Sequence, residues 1–250
     1  MNVYETDRLL AEYLLFHYGT PEQILPWPDG PVGALGFARR VVGEMFGPLP
    51  VEGRALDVGC AVGRSTFELA RQCREAIGID YSRRFIEAAE QLRQSGEIRT
   101  SRVEEGECAT PLTLRVPDFP PPGVVSFEVG NAEALRGDLG PFDALLATNL
   151  LCRLPAPQRF LAQLPALVKP GGQLVLTTPA TWMEEHTPRA HWLGGIEREG
   201  VCQTTLEGLH AALDRDFELE KVADLPFLIR EHSRKYQWSV AQGTRWRRRS

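Results

Sequence analysis

The stretch DVGCAVGR, residues 57–64, sets a carboxylate against a run of small residues and then a position fit to start a helix. Asp57 ends an apolar strand-like segment, RALDVG. Gly59, Ala61 and Gly63 keep the following bend free of bulk. Backbone N–H groups can approach a ligand closely there, and a helix N-terminus adds favourable polarity. The next apolar segment, EAIGID, ends in a second carboxylate, Asp80. A carboxylate at that place can accept both hydroxyl hydrogens of a ribose, so an adenosine lying across the carboxyl ends of the two strands is the expected occupant. The spacing departs from the G-x-G-x-x-G of a dinucleotide site and suits a pyrophosphate poorly. The plainer alternative is that Asp57 and Asp80 only cap the helices that follow.

The elements that must position these residues alternate. From residue 54 the order reads strand, helix, strand, helix: RALDVG, RSTFELARQC, EAIGID and SRRFIEAAEQLRQSG. FEVGNA and FDALLATN read as strands, APQRFLAQLPALV as a helix and GGQLVLTTP as another strand. This rhythm predicts βαβ units and an α/β, Rossmann-like, doubly wound and mostly parallel sheet covered on both faces. Residues 5–17 carry helical spacing, a Pro/Gly-rich loop follows, and ALGFARRVVGEMFG reads as a further helix, so residues 1–49 form an N-terminal helical cap. The core is expected over 50–180. Residues 99–122 read as an inserted hairpin. Residues 179–200, rich in aromatic, His and Gly residues, read as a loop over a site. Residues 216–248 read as a pair of long strands joined by a polar turn, which supplies an antiparallel C-terminal strand. The whole is expected to be one domain.

Bulk properties narrow the partners. The chain has 250 residues and a net charge of −5. A nucleic-acid duplex is an unsuitable partner, because phosphate binding wants clustered Lys and Arg. The one basic cluster, RWRRRS, reads as a solvated tail. No apolar run reaches the ~18 residues that span a bilayer, and the charged N-terminus is no secretory signal. Five scattered cysteines without a CxxC pair favour a reducing cytoplasm over disulfides or zinc. His186 and His191, in HTPRAH, match no metal spacing, so no metal is expected.

LDVGCAVG with GIDYS resembles the cofactor motifs of class I S-adenosylmethionine-dependent methyltransferases. VGNAEAL resembles their adenine segment, FDALLATNLL their fourth strand and LVKPGGQLVLTTP the turn into their fifth. A seven-stranded sheet follows from that resemblance. Two positions depart from the pattern. Ala61 replaces the usual central glycine, which is tolerable if its φ is negative. Asn131 stands where many members have aspartate, though an amide oxygen can still accept from the adenine amino group. The ends of the chain, YETDRLLAEYLLFHYG, TPRAHWLGG and FLIREHSRKYQWSVAQGTRWRR, resemble the methyltransferases of ovothiol biosynthesis. Those enzymes methylate an imidazole nitrogen of 4-mercaptohistidine (5-thiohistidine). With no sulfoxide synthase region in this sequence, the stand-alone form is implied, coupled in function to a separate sulfoxide synthase. Oligomeric state stays open.

The resemblance implies S-adenosylmethionine as cofactor, leaving as S-adenosylhomocysteine. It implies that Asp57, Gly59, Cys60, Ala61 and Gly63 line its methionine part. Asp80 then holds the ribose, Tyr81 flanks the adenine, and Asn131 and Ala132 meet its edge. Asn149 lies by the methyl group, or else only forms a turn. Arg40 pairs with a carboxylate of cofactor or acceptor, or else is an exposed helix residue. A thiohistidine acceptor calls for an Arg, an acid or carbonyl, and aromatics. The candidates are Tyr4, Tyr13, His17 and Tyr18 from the first segment. Trp182, His186, His191 and Trp192 come from the loop, and Arg230 with His232 from the last strand pair. Tyr13 and His17, four apart, share a helix face that could instead be core. The acceptor nitrogen needs a free lone pair; if the sulfur is a thiolate, the methylated product stays neutral overall and a strong general base is unnecessary. His17, His186 or Asn149 can fix its tautomer. Two other readings stand beside this one: a methyltransferase for a different small molecule, and a non-catalytic cofactor-binding protein.

Overall fold

The computed structural model describes residues 5–250. Three helices open it: α1 (Asp7–Tyr18), α2 (Pro21–Ile24) and α3 (Phe37–Met45). Thr6 starts α1 by accepting the Leu9 N–H, and Thr20 and Gln23 close a capping box on α2. The alternating core follows: β1 (Arg54–Val58), α4 (Arg64–Leu69), β2 (Glu75–Asp80) and α5 (Arg83–Ser95). Ser82 caps α5 at one end and Gly96, with φ of 73°, at the other. The inserted hairpin is β3 (Glu97–Glu105) with β4 (Cys108–Arg115), starting two residues earlier than the sequence pattern suggests. Then come β5 (Val124–Val129), β6 (Phe142–Thr148), α6 (Pro157–Leu167) and β7 (Val168–Thr178). FEVGNA is only partly strand: β5 begins at Val124, and Asn131 already caps a tight turn over Ala132–Ala134.

The segment after β7 is more ordered than a plain loop. It contains a tight turn, Arg189–His191, and a small antiparallel pair, β8 (Ile196–Arg198) with β9 (Val201–Gln203). A helix that the strand–helix reading omits, α7 (Thr205–Leu213), follows, opened by a capping box of Thr204 and Glu207. The chain ends in the long ribbon β10 (Phe217–His232) and β11 (Lys235–Arg248).

The main sheet has seven strands in the order β10-β11-β7-β6-β1-β2-β5. β7, β6, β1, β2 and β5 run parallel, and β11 pairs antiparallel with β7. This is the expected Rossmann-like α/β fold, buried on both faces. Along β1, β6 and β7, side chains alternate between the two faces. Ala55, Ala144, Leu146 and Val175 meet α1, α3, α4 and α5 through Tyr18, Phe37, Phe67 and Phe85. Leu56, Leu145, Leu174 and Leu176 meet α6 and α7 through Phe160 and Leu209, together with Trp246. Since β1 is followed by β2 on one side and β6 lies on the other, strand order reverses at β1. Open α/β sheets bind ligands at that crevice, beyond the carboxyl ends of the strands. Among the described residues no helix is long and apolar enough to cross a membrane.

Candidate active site

The bend after β1 has three residues in the left-handed region: Gly59 at φ 76°, Ala61 at 49° and Gly63 at 84°. The expectation of a negative φ at Ala61 is therefore corrected. Asp80 supplies the reason. Its Oδ2 accepts the Ala61 N–H at 2.9 Å, while its Oδ1 accepts the Ser82 N–H at 2.8 Å. One carboxylate thus holds the bends after β1 and β2 together, and Ala61 takes the strained conformation that this bond requires. A Cβ at Gly63 would stand 2.5 Å from the Phe127 ring, so nothing larger fits.

Asp57 is 1% exposed. Its Oδ2 accepts the Thr66 hydroxyl at 2.8 Å, and its Oδ1 is buried without a partner. Burial pushes its pKa up to about 7, with the Asp80 charge adding to the rise and the Thr66 bond opposing it. Burial likewise raises Asp80, against the hydrogen bonds from Ser82 and Ala61. An orphaned carboxylate oxygen beside a bulk-free bend is a ready receptor for an ammonium. The residues therefore fit the methionine end of the implied cofactor. Asp80 acts on this bend and is not the side-chain cap of α5, which is Ser82, whereas Asp57 bonds the hydroxyl and backbone N–H of Thr66 in the first turn of α4 and so also steadies that helix start.

The helix α1 closes one side. The Tyr18 hydroxyl donates to the Val62 carbonyl. Tyr13 packs on Phe85 at 4.9 Å between centroids and stacks on His17 at 6.0 Å. His17 has a buried Nδ1 with no partner. Burial, then the Arg64 charge, hold its pKa down at about 3. Arg64 lies beneath, its guanidinium 5.7 Å from the Tyr18 ring centre. Arg64 and Thr66 are missing from the sequence reading, although both follow Gly63 directly enough for the motif to flag them. Tyr4 lies outside the described residues.

Asn149, at φ 53°, is held by Thr177, which accepts its N–H and donates to its Oδ1 at 2.9 Å. It is a turn-forming Asn at the carboxyl end of β6, beside the buried, unpartnered Thr148 hydroxyl. Tyr81 is 69% exposed at the rim next to Asp80. Asn131 is exposed and accepts the Glu133 N–H, and the buried Ala132 follows it. Cys60 is buried in the bend, and burial raises its thiol well above the usual range.

Several expected acceptor residues are engaged elsewhere. Arg40 pairs with Glu44 and donates to the Pro226 carbonyl, fastening α3 to β10. Arg230 is buried in an ion pair with Glu104 of the hairpin at 2.6 Å and donates to the Gln23 carbonyl. His232 accepts the Arg234 N–H. Trp182 belongs to the opposite sheet face from α1, donates to Thr205 at 2.9 Å and stacks on Trp192. Trp192 donates to the Thr187 carbonyl. His191 meets the Pro155 carbonyl at 2.8 Å, and His186 lies beside Glu185. Arg40, Arg230 and both tryptophans, candidates to meet the acceptor, thus each have a partner within the protein. Glu104, absent from the sequence reading, is the hub that joins hairpin and ribbon.

Comparison with known proteins agrees with this geometry. A family model described as a methyltransferase domain matches residues 34–223. A ubiquinone biosynthesis O-methyltransferase of Maricaulis maris is 30% identical over 202 residues, covering 79% of this chain and 66% of that one. One of the same name from Coxiella burnetii is 26% identical over 123 residues, covering 49% and 42%. The chain thus spans less than half the length of the latter relative. Among solved structures, a SAM-dependent methyltransferase from Methanosarcina mazei superposes with a TM-score of 0.54 at 20% identity, covering 81% and 95%. Magnesium protoporphyrin IX methyltransferase from Synechocystis PCC 6803, with bound SAH, gives 0.50 at 16% identity, covering 84% and 81%. The reversal of strand order at β1, the bend that Asp80 holds and a family match over most of the chain lead to one conclusion: the chain belongs to the methyltransferase domain family, and its cofactor is S-adenosylmethionine.

Proposed function

We propose that this chain methylates a small molecule, and that the acceptor is a ring nitrogen of 4-mercaptohistidine, as in the last step of ovothiol A formation. The observation that favours a nitrogen is His17. The imidazole that α1 brings beside the bend is neutral, with a pKa of about 3. It is too weak a base to take a proton from a phenol at neutral pH. A ring nitrogen needs no such base, because its lone pair is already free.

S-adenosylmethionine supplies a methyl group already activated on a sulfonium. The chain's task is then to bind, orient and desolvate. Asp57 Oδ1 receives the ammonium of the methionine part, which lies along the bend; the Gly59, Cys60, Ala61 and Gly63 N–H groups are already spent on Ile79, Asp80 and Cys60 and shape that bend instead. Each Asp80 oxygen receives one backbone N–H and keeps a second lone pair for a ribose hydroxyl. Tyr81 covers the adenine, and Asn131 and Ala132 meet its edge. Asn149 borders the methyl position. Tyr13 walls the acceptor, and the neutral His17 orients it by one hydrogen bond from Nδ1.

A second reading, O-methylation of a phenolic ring, is favoured by the names of the relatives, one of them 30% identical. A product assay by mass spectrometry and NMR separates the two, using S-adenosylmethionine with 4-mercaptohistidine, histidine and a catechol. The proposal expects N-methyl product from 4-mercaptohistidine and far slower turnover of histidine. Mainly S-methyl product, or equal turnover of histidine, would falsify it. Methylation of the catechol alone would establish the second reading.

A further inference from the structure

Two side chains between α1 and the bend end in buried polar atoms that lack partners. Arg64, 6% exposed, opens α4. Its Nη2 meets Glu68 Oε1 at 2.6 Å, while its Nε is buried and unbonded. Glu68 does not neutralise it alone, since Arg71 shares the same carboxylate at 3.4 Å. His17 Nδ1 is the second such atom. The His17 ring and the Arg64 guanidinium both lie against Tyr18, at 6.3 Å and 5.7 Å from its ring centre, and Tyr13 and Phe16 flank the imidazole. Burying donors without partners is unfavourable, and more so for a charged group. Held by packing on Tyr18 and by Glu68, the guanidinium keeps its Nε edge unoccupied. That edge and a neutral imidazole N–H suit one ligand group, a carboxylate.

Two carboxylates come near such a bend, that of the cofactor's methionine and that of the acceptor. His17 lies outside the segment 34–223 that the family model matches, on the helical cap. Half of the pair is thus no part of the shared cofactor core. We propose that Arg64 Nε–H and His17 Nδ1–H together receive a carboxylate of the acceptor, and so make this enzyme selective for carboxylate-bearing acceptors. The inference rests on the methyl-transfer reading and is independent of whether the acceptor ring is an imidazole or a phenol. An acceptor without the carboxylate leaves Arg64 unpaired, and a site built for a charged group rejects such analogues strongly.

The test compares two matched pairs: 4-mercaptohistidine with its decarboxylated amine, and protocatechuate with catechol. Whichever pair is methylated, the wild-type protein should prefer the carboxylated member by at least about tenfold in kcat/KM. Arg64→Lys keeps the charge but loses the Nε donor, and His17→Phe keeps a ring without a donor. Both should collapse that preference, chiefly through KM, while S-adenosylmethionine affinity by calorimetry stays within about twofold. Methylation of protocatechuate alone would remove the thiohistidine reading and leave the receptor standing. If neither pair is methylated, calorimetry of the four compounds on the S-adenosylhomocysteine complex reads the same preference. Equal response to both members of each pair overturns the proposal. So does a tenfold loss of cofactor affinity in the variants, which would assign the carboxylate to the cofactor.

Discussion

The Tyr18 hydroxyl donates to the Val62 carbonyl at 2.8 Å, across 44 positions of sequence. This one bond fastens the first helix to the bend after β1. Tyr18→Phe leaves a buried carbonyl unmet, so the variant should lose about 1–3 kcal/mol of stability. Urea unfolding measures it, and an unchanged midpoint would show that α1 is held by packing alone.

Asp80 works on backbone before any ligand arrives. Asp80→Ala removes the acceptor for both Ala61 and Ser82. S-adenosylmethionine affinity should fall at least about tenfold in calorimetry, with the fold retained by circular dichroism. Undiminished affinity would remove Asp80 from the ribose site.

Ala61 sits at φ 49°. Ala61→Gly relieves that strain at the cost of a floppier unfolded chain, so it should be neutral to stabilising by up to about 1 kcal/mol. Ala61→Val puts a β-branched side chain there and should cost about 1–3 kcal/mol. Thermal scans that rank Val above Gly would contradict the backbone geometry.

Asp57 ties stability to pH. Its folded pKa of about 7 lies above the unfolded value of about 3.9, so the folded chain binds the extra proton. Its contribution is present below about pH 4 and is lost as pH rises to about 7. His17, lowered to about 3, acts in the opposite sense: its contribution is present above about pH 6.5 and is lost as pH falls. Asp57→Asn removes only the first. Relative to wild type, the variant should gain about 2–4 kcal/mol between about pH 4 and about pH 8. Parallel stability curves from urea titrations would refute the buried, proton-binding carboxyl.

Arg230 joins β10 to Glu104 and to the Gln23 carbonyl. Arg230→Met keeps the bulk and removes the bonds. Glu104 retains Arg102 and part of its solvent, so the loss should be about 1–3 kcal/mol. Hydrogen exchange should quicken in β3 and β4 ahead of the sheet. Uniform quickening would deny the hairpin any local anchor.

The bends after β1 and β2 are legible in the sequence because apolar runs, small residues and terminal carboxylates are local signals. The ribbon and the hairpin are legible for the same reason. Ala61's strain is not, since a side chain nineteen positions on imposes it. Nor are the partners of Arg40 and Arg230, whose bonds cross 186 and 126 positions. Trp182 and Trp192 read in sequence as acceptor candidates on a loop, yet which sheet face their segment docks on is decided by distant packing. α7 carries its own signal, a Thr204-x-x-Glu207 box, masked by the aromatic-rich stretch before it.

β11 pairs with β7 only from Gln242 to Arg247, and Gln242 faces Thr178, the last residue of β7. Residues 235–241 and their β10 partners therefore run on past the carboxyl end of the sheet, where Arg230 and Ser233 join them to the hairpin. One ribbon has two mechanical regimes, a root whose register the sheet dictates and a tip held to the hairpin by the Arg230 ion pair and by the Ser233 N–H and hydroxyl on the Glu104 carbonyl. Adding or removing a matched pair of residues at the tip shifts no strand of the root.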